Sequence, residues 1–181
     1  PYREHHPTNP LGVYGASKLA GEQAIQASGA RHAIFRTAWV YAAHGRNFLL
    51  TMLRLAKERD ELRVVADQVG TPTSAAMIAD VTAAALRRPS AVSGLLHLTA
   101  HGRTSWHGFG EAIVDGAFER GLIVRKPSVI PITTADFPTR ARRPAWSCLD
   151  NGRLPPDLRA AVHDWREGLG RVLDDLRADG R

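Results

Sequence analysis

Apolar positions along the chain recur on two periods, and the two take turns. From Val13 to Ala27, Ala, Leu and Ile return every three or four residues until Ser28-Gly29 breaks the pattern, which predicts a helix. Ala33-Ile34-Phe35-Arg36-Thr37-Ala38-Trp39-Val40-Tyr41 is short, apolar and β-branched, and reads as a buried strand with its exit. Asn47 to Glu58 is an amphipathic helix, and Leu62-Arg63-Val64-Val65 a short strand. Gly70 and Pro72 punctuate Gln68 to Thr73, which is expected to be a loop. Ser74 is placed to cap a helix through Ala75 to Arg88. Gly94 to Thr99 is a further strand candidate, and Ser105 to Arg120 a helix with Thr104 or Ser105 as its cap. A proline-rich connection from Pro127 to Pro144 holds a short strand at Val129-Ile130. Trp146 to Leu149 reads as a last strand segment, and Pro155 to Leu176 as one or two helices.

Strands alternating with helices predict an α/β protein. A dinucleotide-binding fold opens with a strand, a glycine-rich turn and a helix that cradles the pyrophosphate. The sixteen glycines form no such fingerprint: Gly15 and Gly21 sit within one helical pattern, and Gly102, Gly108 and Gly110 lack the preceding strand. The chain opens at Pro1-Tyr2-Arg3-Glu4 without an initiating Met or a signal-peptide layout. The expectation is therefore a chain cut from its nucleotide-binding half and inactive by itself.

Composition narrows the partners. The net charge of +6 and pI of about 10.2 suggest nucleic acid, but arginines are scattered and the densest pairings are Arg87-Arg88 and Arg142-Arg143. No aromatic-interleaved basic stripe is present, so the charge fits an arginine-rich solvated surface or an anionic small ligand rather than nucleic acid. No apolar run reaches the roughly 20 residues of a membrane span. One cysteine, Cys148, excludes an internal disulfide framework and fits a reducing, cytoplasmic setting. The eight histidines show no metal spacing, so no metal site is expected.

One constellation carries chemistry. Tyr14 and Lys18 are four apart, so a helix points phenol and ammonium into one space. A nearby cation favours the phenolate, which suits a group that exchanges a proton near neutral pH. The same spacing also occurs on ordinary amphipathic helix surfaces. The wider run Asn9-Pro10-Leu11-Gly12-Val13-Tyr14-Gly15-Ala16-Ser17-Lys18-Leu19-Ala20-Gly21-Glu22 resembles the active-site helix of the extended short-chain dehydrogenase/reductase superfamily, and most closely its dTDP-4-dehydrorhamnose reductase family. The resemblance continues in order through Arg36 to Tyr41, Gly45-Arg46-Asn47-Phe48, Met52 to Lys57 and Val64 to Thr73. It then takes in His97-Leu98, Thr104-Ser105-Trp106 with Phe109, and Pro138 to Pro144, nearly the whole chain.

That resemblance implies the C-terminal part of a Rossmann-like doubly wound parallel sheet plus a smaller mixed α/β substrate-binding domain. Residues 1–60 would be the remainder of the NAD(P)-binding part with the active-site helix, and 61–181 the substrate-binding region, interleaved with it. The implied activity is reduction of the 4-keto group of dTDP-4-dehydro-L-rhamnose with NADPH, or NADH in its place, for cell-surface polysaccharide synthesis. Tyr14 would protonate the C4 oxygen, and Lys18 would favour the Tyr14 phenolate and hold the nicotinamide ribose. Tyr14, Lys18 and Trp39 would contact the cofactor; Trp39, Asn47, Gln68 and Arg143 would contact the dTDP-sugar. A third catalytic group, a Ser or Thr, would lie upstream of Pro1. A missing N-terminal half or a homodimer would cover the exposed edge of the first elements.

Each assignment has a plainer reading. Trp39 could be core, Asn47 a helix cap, Gln68 a partner for loop backbone, and one of Arg142 and Arg143 a packing residue. Gly12 stands where the family has Asn, Ser74-Ala75-Ala76 replaces Tyr-Ala-Arg, and Trp146 occupies a small polar position. Two alternatives stay open: a non-catalytic nucleotide-sugar-binding or regulatory subunit of the same fold, and a ketoreductase for another nucleotide sugar.

Overall fold

The computed structural model describes residues 1–88, 92–139 and 141–180. In chain order the elements are α1 (Val13–Ala27), β1 (Ala33–Arg36), β2 (Val40–Tyr41), α2 (Phe48–Glu58), β3 (Glu61–Val65), β4 (Val69–Gly70), β5 (Thr73–Ser74), α3 (Ala75–Leu86), β6 (Gly94–His97), β7 (Thr104–Ser105), α4 (Trp106–Glu119), β8 (Ser128–Ile132), a 3-10 turn (Thr134–Asp136), α5 (Pro156–Ala160) and α6 (Trp165–Ala178). The strands form pairs: β1 with β6, β2 with β5 and β3 with β8 run parallel, and β4 with β7 antiparallel. This is an α/β fold with mainly parallel pairing. The β1–β6 pair joins residues on both sides of position 60, so the two expected regions share a sheet.

The core lies where α2, α4 and α6 meet β3 and β8. Leu49, Met52, Leu53 and Ala56 of α2 face Phe109, Ile113, Val114 and Ala117 of α4, and α6 adds Trp165, Leu169, Val172, Leu173 and Leu176. Gly116 of α4 admits Leu173, whose Cδ1 would lie 2.7 Å from a Cβ built there. Four α-helix starts are fixed by side-chain oxygens: Leu50 N–H donates to Asn47 Oδ1, Met77 N–H to Ser74 Oγ, Gly108 N–H to Ser105 Oγ, and Arg166 N–H to Asp164 Oδ1.

Several expectations need correction. The run from Ala33 to Tyr41 is not one buried strand: β1 is exposed to half-buried, and β2 follows after a break at Thr37–Trp39. The expected loop from Gln68 to Thr73 contains β4 and the start of β5, each a two-residue ladder. The expected strand at Trp146 to Leu149 is reduced to single bridges, Val69 with Trp146 and Tyr2 with Leu149. In contrast β8 is longer than Val129-Ile130 and accommodates Pro131, because it pairs on one side only, with β3.

Helix α1 is unlike the rest. None of its residues is buried, and Gly12 at its N-cap offers no side-chain bond. Its polar tether is Glu22, whose carboxylate takes two hydrogen bonds from Arg36 at the end of β1, at 2.8 Å from Nε and 2.6 Å from a terminal nitrogen. That forked geometry is the strongest form of side-chain ion pair.

Candidate active site

Tyr14 and Lys18 occupy the first turns of α1. Tyr14 is 78% exposed, and the Lys18 ammonium stands 5.6 Å from the centre of its ring. Phenol and ammonium therefore share one open space. Glu22 is a further four residues along the same face, so the group that anchors α1 lies in register with the pair it presents. The Glu22 hydrogen bonds hold the Arg36 guanidinium above its ordinary pKa, against the opposing effect of burial, with the Glu22 and Glu4 charges adding to the rise.

Trp39 lies three residues beyond the carboxyl end of β1, the region where open parallel α/β sheets bind ligands. Its backbone is left-handed, φ 49°, rare for a bulky residue. Its carbonyl accepts from Thr73 N–H at 3.1 Å. Its indole stacks on Trp106, with ring centres 3.6 Å apart and planes 6° from parallel. The residue stays half-buried.

Four segments converge beside this stack. Val69 and Gly70 pair with Ser105 and Thr104. On the other side Val69 N–H donates to Ala145 carbonyl, and Ser147 N–H to Val69 carbonyl. The Arg103 guanidinium lies over the Trp146 ring at 5.4 Å. Trp39, Gln68 and the segment carrying Arg143 are thereby drawn to one region, with Arg143 exposed two residues before Ala145.

Gln68 is buried, 6% exposed, and its Nε2 donates to Thr134 Oγ1 at 3.0 Å, a side chain rather than the loop backbone of the plainer reading. Thr134 is fixed in turn by Asp67, which accepts from its hydroxyl and its N–H; these bonds hold the Asp67 carboxyl below its usual range. Asn47 proves to be a cap and more: its Nδ2 donates to the carbonyls of Ala42 and His44 at 2.9 and 3.0 Å. The next residue, Phe48, packs on Trp106 at 4.7 Å, linking the Asn47 turn to the stack.

Sequence reasoning missed the Glu22–Arg36 tether and the stacking of Trp39 on Trp106. Glu22 could have been found from its i+4 place after Lys18; Arg36 carried no local signal. Gly70 reads locally only as loop punctuation, and nothing local names Trp39 as the side chain that rests on it. Among the described residues no group of three or more His, Cys, Asp or Glu could hold a metal ion, and no helix is long and apolar enough to cross a membrane.

The model for the RmlD substrate binding domain matches residues 1–178. The chain belongs to that family. A relative from Burkholderia thailandensis named dTDP-4-dehydrorhamnose reductase is 48% identical over 97% of this chain and 62% of its own length. A crystal structure of a dTDP-4-dehydrorhamnose reductase from Clostridium acetobutylicum superimposes with a TM-score of 0.86 at 38% identity, over 98% of this chain and 60% of that one. One from Bacillus anthracis, in complex with NADP, gives 0.83 at 35% identity, over 96% and 59%. The RmlD-family chain thus spans about 60% of the length of the relatives it matches. Its α/β fold is the fold of those reductases.

Proposed function

We propose that this chain forms the substrate side and the proton-donating pair of an NADPH-dependent reductase that converts dTDP-4-dehydro-L-rhamnose to dTDP-L-rhamnose. The observation that carries the proposal is the placement of Tyr14 and Lys18 in one open space on a helix anchored in register by Glu22. The 48% identity to a reductase of that name supports the substrate, and the NADP-bound relative supports the cofactor. Residues 1–60, together with β6, would belong to the nucleotide-binding part, and the remainder of 61–181 to the sugar side.

The residues present fit a nicotinamide ribose: an exposed ammonium offers several donors to vicinal hydroxyls, and the phenol lies beside it. NADPH, when bound, supplies the hydride. Tyr14 donates its phenolic proton to the sugar's C4 oxygen as negative charge develops there. Lys18 stabilises the phenolate left behind and holds the ribose. Trp39 offers an apolar face to the sugar ring and to the cofactor beyond it, and Gln68 and Asn47 would reach the ligand only through the acceptor capacity that their internal hydrogen bonds leave. Arg143, a planar guanidinium, suits a diphosphate. We place the reaction in the cytoplasm, the reducing setting that the single Cys148 fits.

Tyr14→Phe in the reductase containing this chain should lower turnover by about 10²- to 10⁴-fold, the usual contribution of a positioned acid, while NADPH still binds. Unchanged turnover would remove Tyr14 from the role. A wild-type protein that binds dTDP-sugar without reducing it would favour the non-catalytic alternative.

A further inference from the structure

We propose that Gly70 and Trp106 are positioning residues that hold Trp39 as a pre-formed aromatic wall for the sugar ring of the substrate. The inference rests on the reductase reading for its ligand, and on geometry alone for the array.

Three observations carry it. First, Trp39 adopts a backbone conformation, φ 49°, that a bulky side chain takes up only when its surroundings over-determine it. Second, Gly70 leaves no room for any side chain. A Cβ there would lie 2.4 Å from Trp39 Cε2, 2.6 Å from Trp39 Nε1 and 2.6 Å from Ser147 Oγ. The indole edge rests directly on the Gly70 backbone, so a single methyl must push it away.

Third, the indole is backed by a continuous aromatic column. Trp39 stacks on Trp106, and Phe48 meets Trp106 at 4.7 Å. Phe109 follows at 5.6 Å from Phe48, and Trp165 at 5.8 Å from Phe109. Phe109 and Trp165 are fully buried. The column therefore runs from the half-exposed site into the core, and fixes one face of Trp39 without a hydrogen bond. An indole with one face committed and its edge against a glycine has its remaining orientation decided before any ligand arrives. That arrangement lowers the ordering cost of binding.

The test combines circular dichroism at the strong far-ultraviolet indole band with kinetics on the complete reductase. Two indoles stacked face to face couple their transitions, so the wild type should show an exciton couplet that Trp39→Phe and Trp106→Phe each abolish. Gly70→Ala should abolish it too, although it removes no indole. In the same variant, KM for the dTDP-sugar should rise about tenfold with kcat reduced far less, because a displaced wall weakens substrate contact more than proton transfer. Trp106→Phe keeps a ring against Phe48 and serves if Gly70→Ala does not fold. Its KM should rise about threefold, and Trp106→Ala should rise further.

A couplet that persists in Gly70→Ala, or an unchanged sugar KM in both the Gly70 and Trp106 variants, would overturn the proposal. If the wild type reduces no dTDP-sugar, the reductase reading fails; the array is then judged by the couplet in Gly70→Ala, whose loss supports it and whose survival refutes it.

Discussion

Replacing Asn47 by Ala should cost far more than an ordinary helix cap. The amide makes three bonds at once: Oδ1 accepts from Leu50 N–H at 3.1 Å, and Nδ2 donates to Ala42 and His44 carbonyls at 2.9 and 3.0 Å. Loss of the cap alone costs about 1 kcal/mol, and each of the other two bonds about 1 kcal/mol net. The sum, about 3 kcal/mol, falls on a helix that buries Leu49, Met52, Leu53 and Ala56. In a domain of this length it should lower Tm by roughly 6–12 °C. Asn47→Asp separates the parts. It keeps the capping oxygen and favours the helix N-terminus by charge, but loses both donated bonds and faces two carbonyls. Thermal unfolding followed by far-ultraviolet circular dichroism gives the totals, and hydrogen exchange at Leu50 N–H reports the cap. Leu50 should exchange faster in the Ala variant and stay protected in the Asp variant, although both lose stability. A Tm for Asn47→Ala within about 1 °C of wild type would refute the account, and would return Asn47 to a purely ligand-facing role.

Glu22→Gln should release α1 with little effect on the core. It removes a charge-assisted pair whose side chains are only 14% and 23% exposed, and hydrogen exchange across α1 should quicken by roughly ten- to hundredfold; unchanged exchange would mean that the tether lies elsewhere. His97 should make stability fall in mild acid. Burial, by disfavouring the charged ring, holds its pKa below the ordinary value near 6.5; the Glu4 charge opposes that shift and the Arg36 charge reinforces it. Because the folded value lies below the unfolded one, the neutral ring's contribution is complete above about pH 6.5 and is lost as pH falls through the folded value. His97→Gln should flatten the fall in Tm on acidification, and an identical slope in both proteins would count against His97 as its source.

What was legible in the sequence was local. Helix α1 ends where Ser28-Gly29 says it must, and the caps at Asn47, Ser74 and Ser105 follow from side-chain oxygens within three residues of the N–H they serve. Two-residue ladders have no such signature. β4 exists because Thr104 and Ser105 arrive beside it, and β2 because Thr73 and Ser74 do. Burial is equally non-local: Ala33-Ile34-Phe35 has the composition of a covered strand, yet its cover is no property of those residues. In the site, spacing alone joined Tyr14 to Lys18. Gln68 reaches Thr134 across 66 positions, and Trp39 meets Trp106 across a comparable gap, contacts that only the folded chain defines.

The two halves of the candidate site are held by different forces. Tyr14 and Lys18 ride on a helix with no buried side chain, fixed to β1 by a forked ion pair that is partly open to water. Trp39 is the end of an aromatic column rooted in Phe109 and Trp165, and depends on packing that excludes water. Electrostatic attachment is screened by salt and sensitive to charge substitution, whereas packing responds to volume. Losses in proton transfer should therefore follow changes at Glu22 and Arg36, and losses in sugar affinity should follow changes in size at Gly70, Trp106 and Phe48. A substitution in the α2–α4 core has a contact route to Trp39 through Phe109, Phe48 and Trp106, whereas its route to α1 passes through Phe35 and the Arg36–Glu22 pair. On the proposed roles, proton transfer and sugar binding should be separable by substitution, although Glu22, Arg36 and Trp39 lie within one continuous run from α1 through β1.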